Sequence, residues 1–290
     1  MIALVQVLIK YALFEPFALD TSLTTIEFIL LVIATLCIAA GGNCINDIQD
    51  VAIDKINKPL KVLIGKKITE QTAYNYYIIL NIIGVGLGFY LANNIDKPGF
   101  AALFIVISAL LYLYATYLKA IILVGNIVIS ILVAMSILIV GLFELLPAIT
   151  ETNLVAQSTL FSILLDYALF AFLMTLLREL VKDVEDIDGD KNGGLQTLPI
   201  LLGRKRAIKI ILAVALVFIG SIVYYLYTYM YQQQIAMLYF LVFVVGPLIY
   251  FCIQLLSASK KEDFSYLSGV LKFIMLLGIL SMLLYPFILK

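Results

Sequence analysis

Histidine is absent from the 290-residue chain. That excludes histidine-ligated haem and zinc, and every Ser-His or Cys-His catalytic arrangement. Tryptophan is absent too, so tyrosine must supply any polar-tipped aromatics at a membrane interface. The three cysteines, Cys37, Cys44 and Cys252, fall inside apolar runs without metal-type spacing. They read as small packing residues rather than a disulfide framework. Charge is scarce, at 13% of residues against about 25% in soluble proteins. The formal net charge is zero, so no global field argues for nucleic acid. The first apolar run carries Lys10 and Glu15 and lacks a clear small-residue cleavage site, so it does not read as a cleaved leader. The chain opens almost directly in that run, which points to a truncated start.

What the chain has is apolar length. Hydrophobic residues make up 63% of it, more than a soluble domain of this size can hide from water. Nine runs approach the roughly 20 residues that cross a bilayer: 2–18, 26–46, 73–92, 100–118, 121–143, 158–180, 207–230, 234–256 and 267–288. Without the alternation of barrel strands they must be helices. The expected fold is therefore an all-α membrane bundle of nine transmembrane helices, 1–290 forming one domain. Loop charge tests that count. All but four of the 19 Lys and Arg residues, the exceptions being Lys10, Lys97, Lys272 and Lys290, fall in the loops after spans two, four, six and eight or in the span ends that flank those loops. By the positive-inside rule those loops and the N-terminus are cytoplasmic, in a protein of the cell membrane.

Polar residues concentrate in two cytoplasmic segments, roughly 47–72 and 181–206. The first motif reads GGNCINDIQDVAIDKINKP, Gly41 to Pro59. Asn46, Asp50 and Asp54 recur every fourth residue, one face of a helix, with Asp47 beside them. The second reads RELVKDVEDIDGDKNGGLQTLP, Arg178 to Pro199, with Asp183, Asp186 and Asp190 on one face if the helix persists that far. Stacked carboxylates repel unless a cation joins them. All-oxygen ligands select Mg²⁺, Mn²⁺ or Ca²⁺, and Mg²⁺ commonly combines one or two carboxylates with phosphate oxygens. Lys58, Lys61, Lys119, Arg178 and Lys182 are the nearby cations. Solvated loop charge is the bland alternative, which the repeated spacing and the matching helix ends oppose.

NDIQDVAID, Asn46 to Asp54, resembles the NDxxDxxxD motif of the UbiA superfamily of intramembrane prenyltransferases. KDVEDIDGD, Lys182 to Asp190, resembles that family's second motif in its KDxxDxxGD form. KINKP, YATYLK followed by Gly125-Asn126, and TLPI agree in the same order, so the resemblance covers most of the chain. Two departures stand out. The family's usual Arg- and Asn-containing segment ahead of its first helix is missing, and Leu60-Lys61 replaces a common Asp-Arg.

The resemblance implies Mg²⁺ on Asn46, Asp47, Asp50, Asp54, Asp183, Asp186 and Asp190, with Asp50, Asp54, Asp183 and Asp186 catalytic. It implies a prenyl diphosphate donor contacted by Asn46, Lys58, Lys61, Tyr117, Lys119, Asn126, Arg178 and Lys182. An allylic cation would be shielded from water by the bundle and steadied by aromatic faces such as Tyr112, Tyr114 or Tyr117, although lipid-facing packing explains most single aromatics. The wording of the second motif is most similar to the branch that transfers geranylgeranyl to geranylgeranylglyceryl phosphate. A lipophilic aromatic quinone precursor is the alternative acceptor. A reading from another class, an ion-coupled transporter, needs carboxylates that meet at the bilayer midplane. Asp166, inside the sixth span, positions an acceptor, is protonated and packed, or lies nearer the outer interface.

Overall fold

A bilayer leaves the backbone to satisfy its own hydrogen bonds, and helices do this within one segment. The computed structural model describes residues 1–288, and Lys290 lies outside them. Among the described residues every regular element is helical apart from one bridge between Ile64 and Ile68. In chain order these are α1 (Ile2–Leu8), α2 (Thr25–Gln49), α3 (Val51–Asn57), α4 (Glu70–Asn94), α5 (Ala101–Thr116), α6 (Val124–Glu144) and α7 (Leu154–Glu185). Then come the short α8 (Ile187–Asn192) and α9 (Leu198–Leu202), followed by α10 (Arg204–Tyr229), α11 (Gln234–Phe240), α12 (Gly246–Ser257), α13 (Lys261–Leu280) and α14 (Tyr285–Ile288).

Eight helical segments are long and apolar enough to cross a membrane, from Thr25–Gln49 to Lys261–Phe287. They correspond to the second to ninth expected spans. The first span, 2–18, is also helical, but α1 passes into a π-helical stretch, Ile9–Phe14, and a 3-10 turn, Glu15–Phe17. Its polar residues explain its placement. Gln6 Nε2 donates to the Ser136 carbonyl at 3.0 Å, and Thr35 Oγ1 donates to Gln6 Oε1 at 3.0 Å. Lys10 Nζ lies 2.6 Å from Glu144 Oε1 and 3.2 Å from the Leu23 carbonyl oxygen, and neither Lys10 nor Glu144 is exposed beyond 5%. The segment is tied to α2 and α6 through its polar side chains.

Local sequence sets where the other helices begin. Thr24 and Glu27 form a capping box ahead of α2: Glu27 N–H donates to Thr24 Oγ1, and Thr24 N–H donates to Glu27 Oε2 at 2.8 Å. Thr69 caps α4 by accepting from Thr72 N–H. Pro247 cannot donate a backbone hydrogen bond, and the residues before it, Leu241–Val245, take π geometry that joins α11 to α12 in one span. α2 and α4 cross closely because Gly84 has no side chain. A Cβ there would stand 2.6 Å from Ile38 and 3.0 Å from the Ala34 carbonyl oxygen.

α7 is the shared spine of two apolar cores. Leu160, Leu164 and Ala168 pack with α1, α2, α5 and α6, whereas Met174, Leu177 and Val181 pack with α10, α12 and α13. Successive long helices alternate in direction. The C-terminal ends of α2, α5 and α7 therefore meet the N-terminal ends of α4 and α6 at one end of the bundle, where the polar cavity opens.

Candidate active site

The two acidic motifs are built alike. α2 ends at Gln49 and α3 begins at Val51, with Asp50 between them at φ −92°, ψ 4°. α7 ends at Glu185 and α8 begins at Ile187, with Asp186 between them at φ −97°, ψ 10°. Each is a bend in a nearly continuous helix, since Asp50 N–H still bonds the Asn46 carbonyl and Asp186 N–H the Lys182 carbonyl. Both residues sit in the sparsely populated bridge region, where many active-site residues are found. The bend turns the two short helices toward each other, and Asn57 joins them. Its Nδ2 donates to the Asp186 carbonyl at 3.0 Å and reaches Asp190 Oδ1 at 3.4 Å, while its Oδ1 accepts Gly189 N–H at 3.0 Å. Gly189 has to be glycine for that contact, because a Cβ there would stand 2.4 Å from Asn57 Nδ2.

Between the motifs lies a cavity of about 410 Å³. Asn46, Asp47, Asp50, Asp54, Lys58, Lys61, Lys119, Asn126, Lys182, Asp183, Asp186 and Asp190 all line it. Lysines from elsewhere hold the two hinge aspartates: Lys119 donates to Asp50 and Asn46, and Lys58 Nζ donates to Asp186 Oδ2 at 2.6 Å. Asn46 Nδ2 donates to Asp50 Oδ2 at 2.7 Å, and Asn126 Nδ2 to Asp183 Oδ2 at 3.0 Å. Val62, Leu63, Ile64 and Ile68, from the loop between α3 and α4, supply an apolar wall.

Three residues named from the sequence for this site do not line the cavity, Tyr112, 44% exposed on α5, being the first. Tyr117 follows the last turn of α5 and is 64% exposed. Arg178 bonds Glu179 Oε1 at 3.1 Å. Their neighbours take those places: Tyr114, one helical turn before Tyr117, and Glu179, four residues before Asp183, both line the cavity. Glu179 also holds Lys182, 3.2 Å away. Asn57 and Thr197 are further lining residues that carry no periodic signal. Asp166 is elsewhere, edging a smaller apolar pocket of about 130 Å³ and accepting a 2.8 Å hydrogen bond from Tyr225 Oη.

Burial governs the electrostatics. It pushes the Asp190 carboxyl up to about 7, and the charges of Asp186 and Asp50 act in the same direction. Burial likewise raises Asp54, with Lys58 opposing and Asp50 and Asp186 adding to it. Burial opposes the charge on Lys58, but its hydrogen bond to Asp186 and the attraction of Asp186 and Asp54 leave Lys58 above the ordinary lysine range.

The donor set fits a hard divalent cation. Every candidate ligand is a carboxylate or amide oxygen, and Asp186 Oδ1 is a buried carboxylate oxygen without a hydrogen-bond partner. Among the described residues no three Cys, Asp or Glu side chains converge into a ready-made cage. That suits an ion that takes much of its coordination from phosphate and water. The carboxylates also meet at one end of the bundle, away from the midplane where transporters bind their ions.

Comparison with known proteins agrees with this arrangement. The model of the UbiA prenyltransferase family matches residues 8–277. Digeranylgeranylglyceryl phosphate synthase of Methanosphaera stadtmanae is 31% identical over 260 residues, covering 87% of this chain and 86% of its own. A solved structure described by its authors as concerning digeranylgeranylglyceryl phosphate synthase in membranes is similar with a TM-score of 0.63 and 25% identity, over 98% of this chain and 92% of the other. A UbiA homolog from Archaeoglobus fulgidus bound to GPP and Mg²⁺ shares the fold, with a TM-score of 0.56 at 15% identity over 97% and 96% of the two chains. With eight membrane-crossing helices and a family match over nearly its whole length, the chain belongs to the UbiA prenyltransferase family of integral membrane enzymes.

Proposed function

We propose that this enzyme transfers geranylgeranyl from its diphosphate to geranylgeranylglyceryl phosphate, a step of ether-lipid synthesis. Mg²⁺ is the metal, residues 1–290 act as one catalytic unit, and the site faces the cytoplasm at the cell membrane. The observation that carries the reading is the interleaving of carboxylates and lysines around one cavity, Asp50 with Lys119 and Asp186 with Lys58, at one end of an apolar bundle. The acceptor reading is supported by the Methanosphaera stadtmanae relative, which is 31% identical and is named digeranylgeranylglyceryl phosphate synthase. The orientation follows from the basic loops.

Carboxylates outnumber lysines around the cavity, so an anionic diphosphate is repelled until divalent cations are bound. Asn46, Asp47, Asp50 and Asp54 from one motif, and Asp183, Asp186 and Asp190 from the other, would hold the ions. When bound, Mg²⁺ supplies electrophilic stabilisation of the departing diphosphate. Lys58, Lys61 and Lys119 face the same space and add charged hydrogen bonds to phosphate oxygens. The C1–O bond of the donor breaks with its electron pair leaving on the diphosphate, and the acceptor hydroxyl oxygen bonds to C1 as its proton passes to the departing diphosphate. Tyr114 offers an aromatic face to positive charge developing at C1. Val62, Leu63, Ile64 and Ile68 keep water from that carbon.

The test is a mass-spectrometric assay of purified protein with geranylgeranyl diphosphate, Mg²⁺ and competing acceptors. Product from geranylgeranylglyceryl phosphate supports the proposal. Product only from 4-hydroxybenzoate or a naphthoate-type acceptor would retain the transfer chemistry and replace the pathway.

A further inference from the structure

The corner between α12 and α13 belongs to neither acidic motif, yet it reaches the site. Lys261 is the first residue of α13, and its Nζ donates to the Asn57 main-chain oxygen at 2.7 Å. The same Nζ stands 3.9 Å from Asp186 Oδ1, the carboxylate oxygen without a hydrogen-bond partner. Asp186 is thus flanked by two lysines from different parts of the chain, Lys58 on Oδ2 and Lys261 on the side of Oδ1. Asn57 ends α3, where helix carbonyls lack partners and the dipole is negative, a favourable place for a cation.

The corner is itself held in position. Asp263 Oδ2 accepts from the backbone N–H groups of Ser259 and Lys260 at 2.9 and 2.8 Å. Arg204, at the start of α10, donates to the Ser259 carbonyl at 3.0 Å. Lys261 does not line the cavity. It acts from behind the wall, on the residue that joins α3 to α8 and on the second hinge aspartate.

We propose that Lys261 is a positioning residue for donor binding: it fixes the α3 end through Asn57, steadies Asp186, and makes the α12–α13 corner a third structural support of the diphosphate site. The proposal rests on the prenyl-transfer reading above. It predicts that Lys261→Met raises KM for geranylgeranyl diphosphate about tenfold and leaves the Tm of the unliganded protein unchanged. It also predicts a smaller Tm rise on adding the donor with Mg²⁺. Lys261→Arg, which keeps a cation of similar reach, should return KM to within about threefold of the parent. Lys260→Met removes the same charge from an exposed neighbour and should match the parent.

Three results would overturn the proposal: parental KM and thermal shift in Lys261→Met, the same KM change in Lys260→Met, or a lowered Tm and active fraction at unchanged KM. Failure of the underlying reading looks different, because the parent protein itself would then transfer no prenyl group.

Discussion

Lys58 Nζ lies 2.6 Å from Asp186 Oδ2, although 128 positions separate the two residues in sequence. The contact joins the loop after the first motif to the hinge of the second, so each motif supplies part of the other's environment. Removing either hinge carboxylate takes away a ligand candidate and strands a lysine. Asp50→Ala and Asp186→Ala should each lower turnover by about 100- to 1000-fold, the range for losing a preorganised electrostatic group. The protein should remain in the membrane fraction, and near-parental turnover in either variant would refute the metal assignment.

Chelation should have the same effect without mutation. Excess EDTA is expected to stop product formation, and added Mg²⁺ to restore it. Undiminished turnover in EDTA would contradict a metal-bound diphosphate.

Mg²⁺ binding should also depend on pH. The Asp190 carboxyl, raised to about 7, keeps its proton below that pH and must release it to ligate a cation. Mg²⁺ affinity should therefore strengthen as pH rises from about 6 to 8 and weaken as it falls. Titrating the purified protein with the metal alone checks the sign, and Asp190→Asn should flatten the dependence. A flat parent profile would remove Asp190 from the ligand set.

The Asn57–Gly189 contact makes a sharper structural test. Gly189→Ala places a methyl group against a side chain that three hydrogen bonds hold. Activity is expected to drop about tenfold, the effect of losing about 1.4 kcal/mol of positioning. In an Asn57→Ala background the methyl group meets no amide, so the second substitution should add little. Strict additivity of the two losses would show that they act separately.

The buried pair in the first segment gives a stability prediction. Lys10→Met leaves the Glu144 carboxylate buried without its cation and should cost about 3–5 kcal/mol. Adding Glu144→Gln, which keeps an acceptor for the Leu23 N–H, should recover most of that in a detergent-unfolding titration. An unchanged midpoint for the single variant would mean that the pair contributes nothing.

Much of this was legible in the sequence because lipid permits so few structures. Apolar run length located the eight crossing helices, and the repeat from Asn46 to Asp54 marked a shared face. The bends at Asp50 and Asp186 were not legible, since a four-residue repeat reads the same through a straight helix. Charge and aromaticity point to Arg178 and Tyr117, but helix geometry decides which side chain enters a cavity. Glu179 stands one turn from Asp183 on the same face, and Arg178 does not. Asn57 and Lys261 are joined across 204 positions, a pairing that no local pattern encodes. The first span kept its helix but lost regularity where Lys10 turns inward.

The Lys10–Glu144 pair also sets an order of events during biosynthesis. Its two members are 134 residues apart, so the carboxylate leaves the ribosome well after the lysine. At about 5–20 residues per second, that delay is on the order of ten seconds. Through that interval Lys10 has no buried counter-charge, and the first segment cannot settle as it does in the finished protein. Its docking must wait until α6 has been synthesised, so the N-terminal segment, although made first, locks no earlier than the middle of the chain.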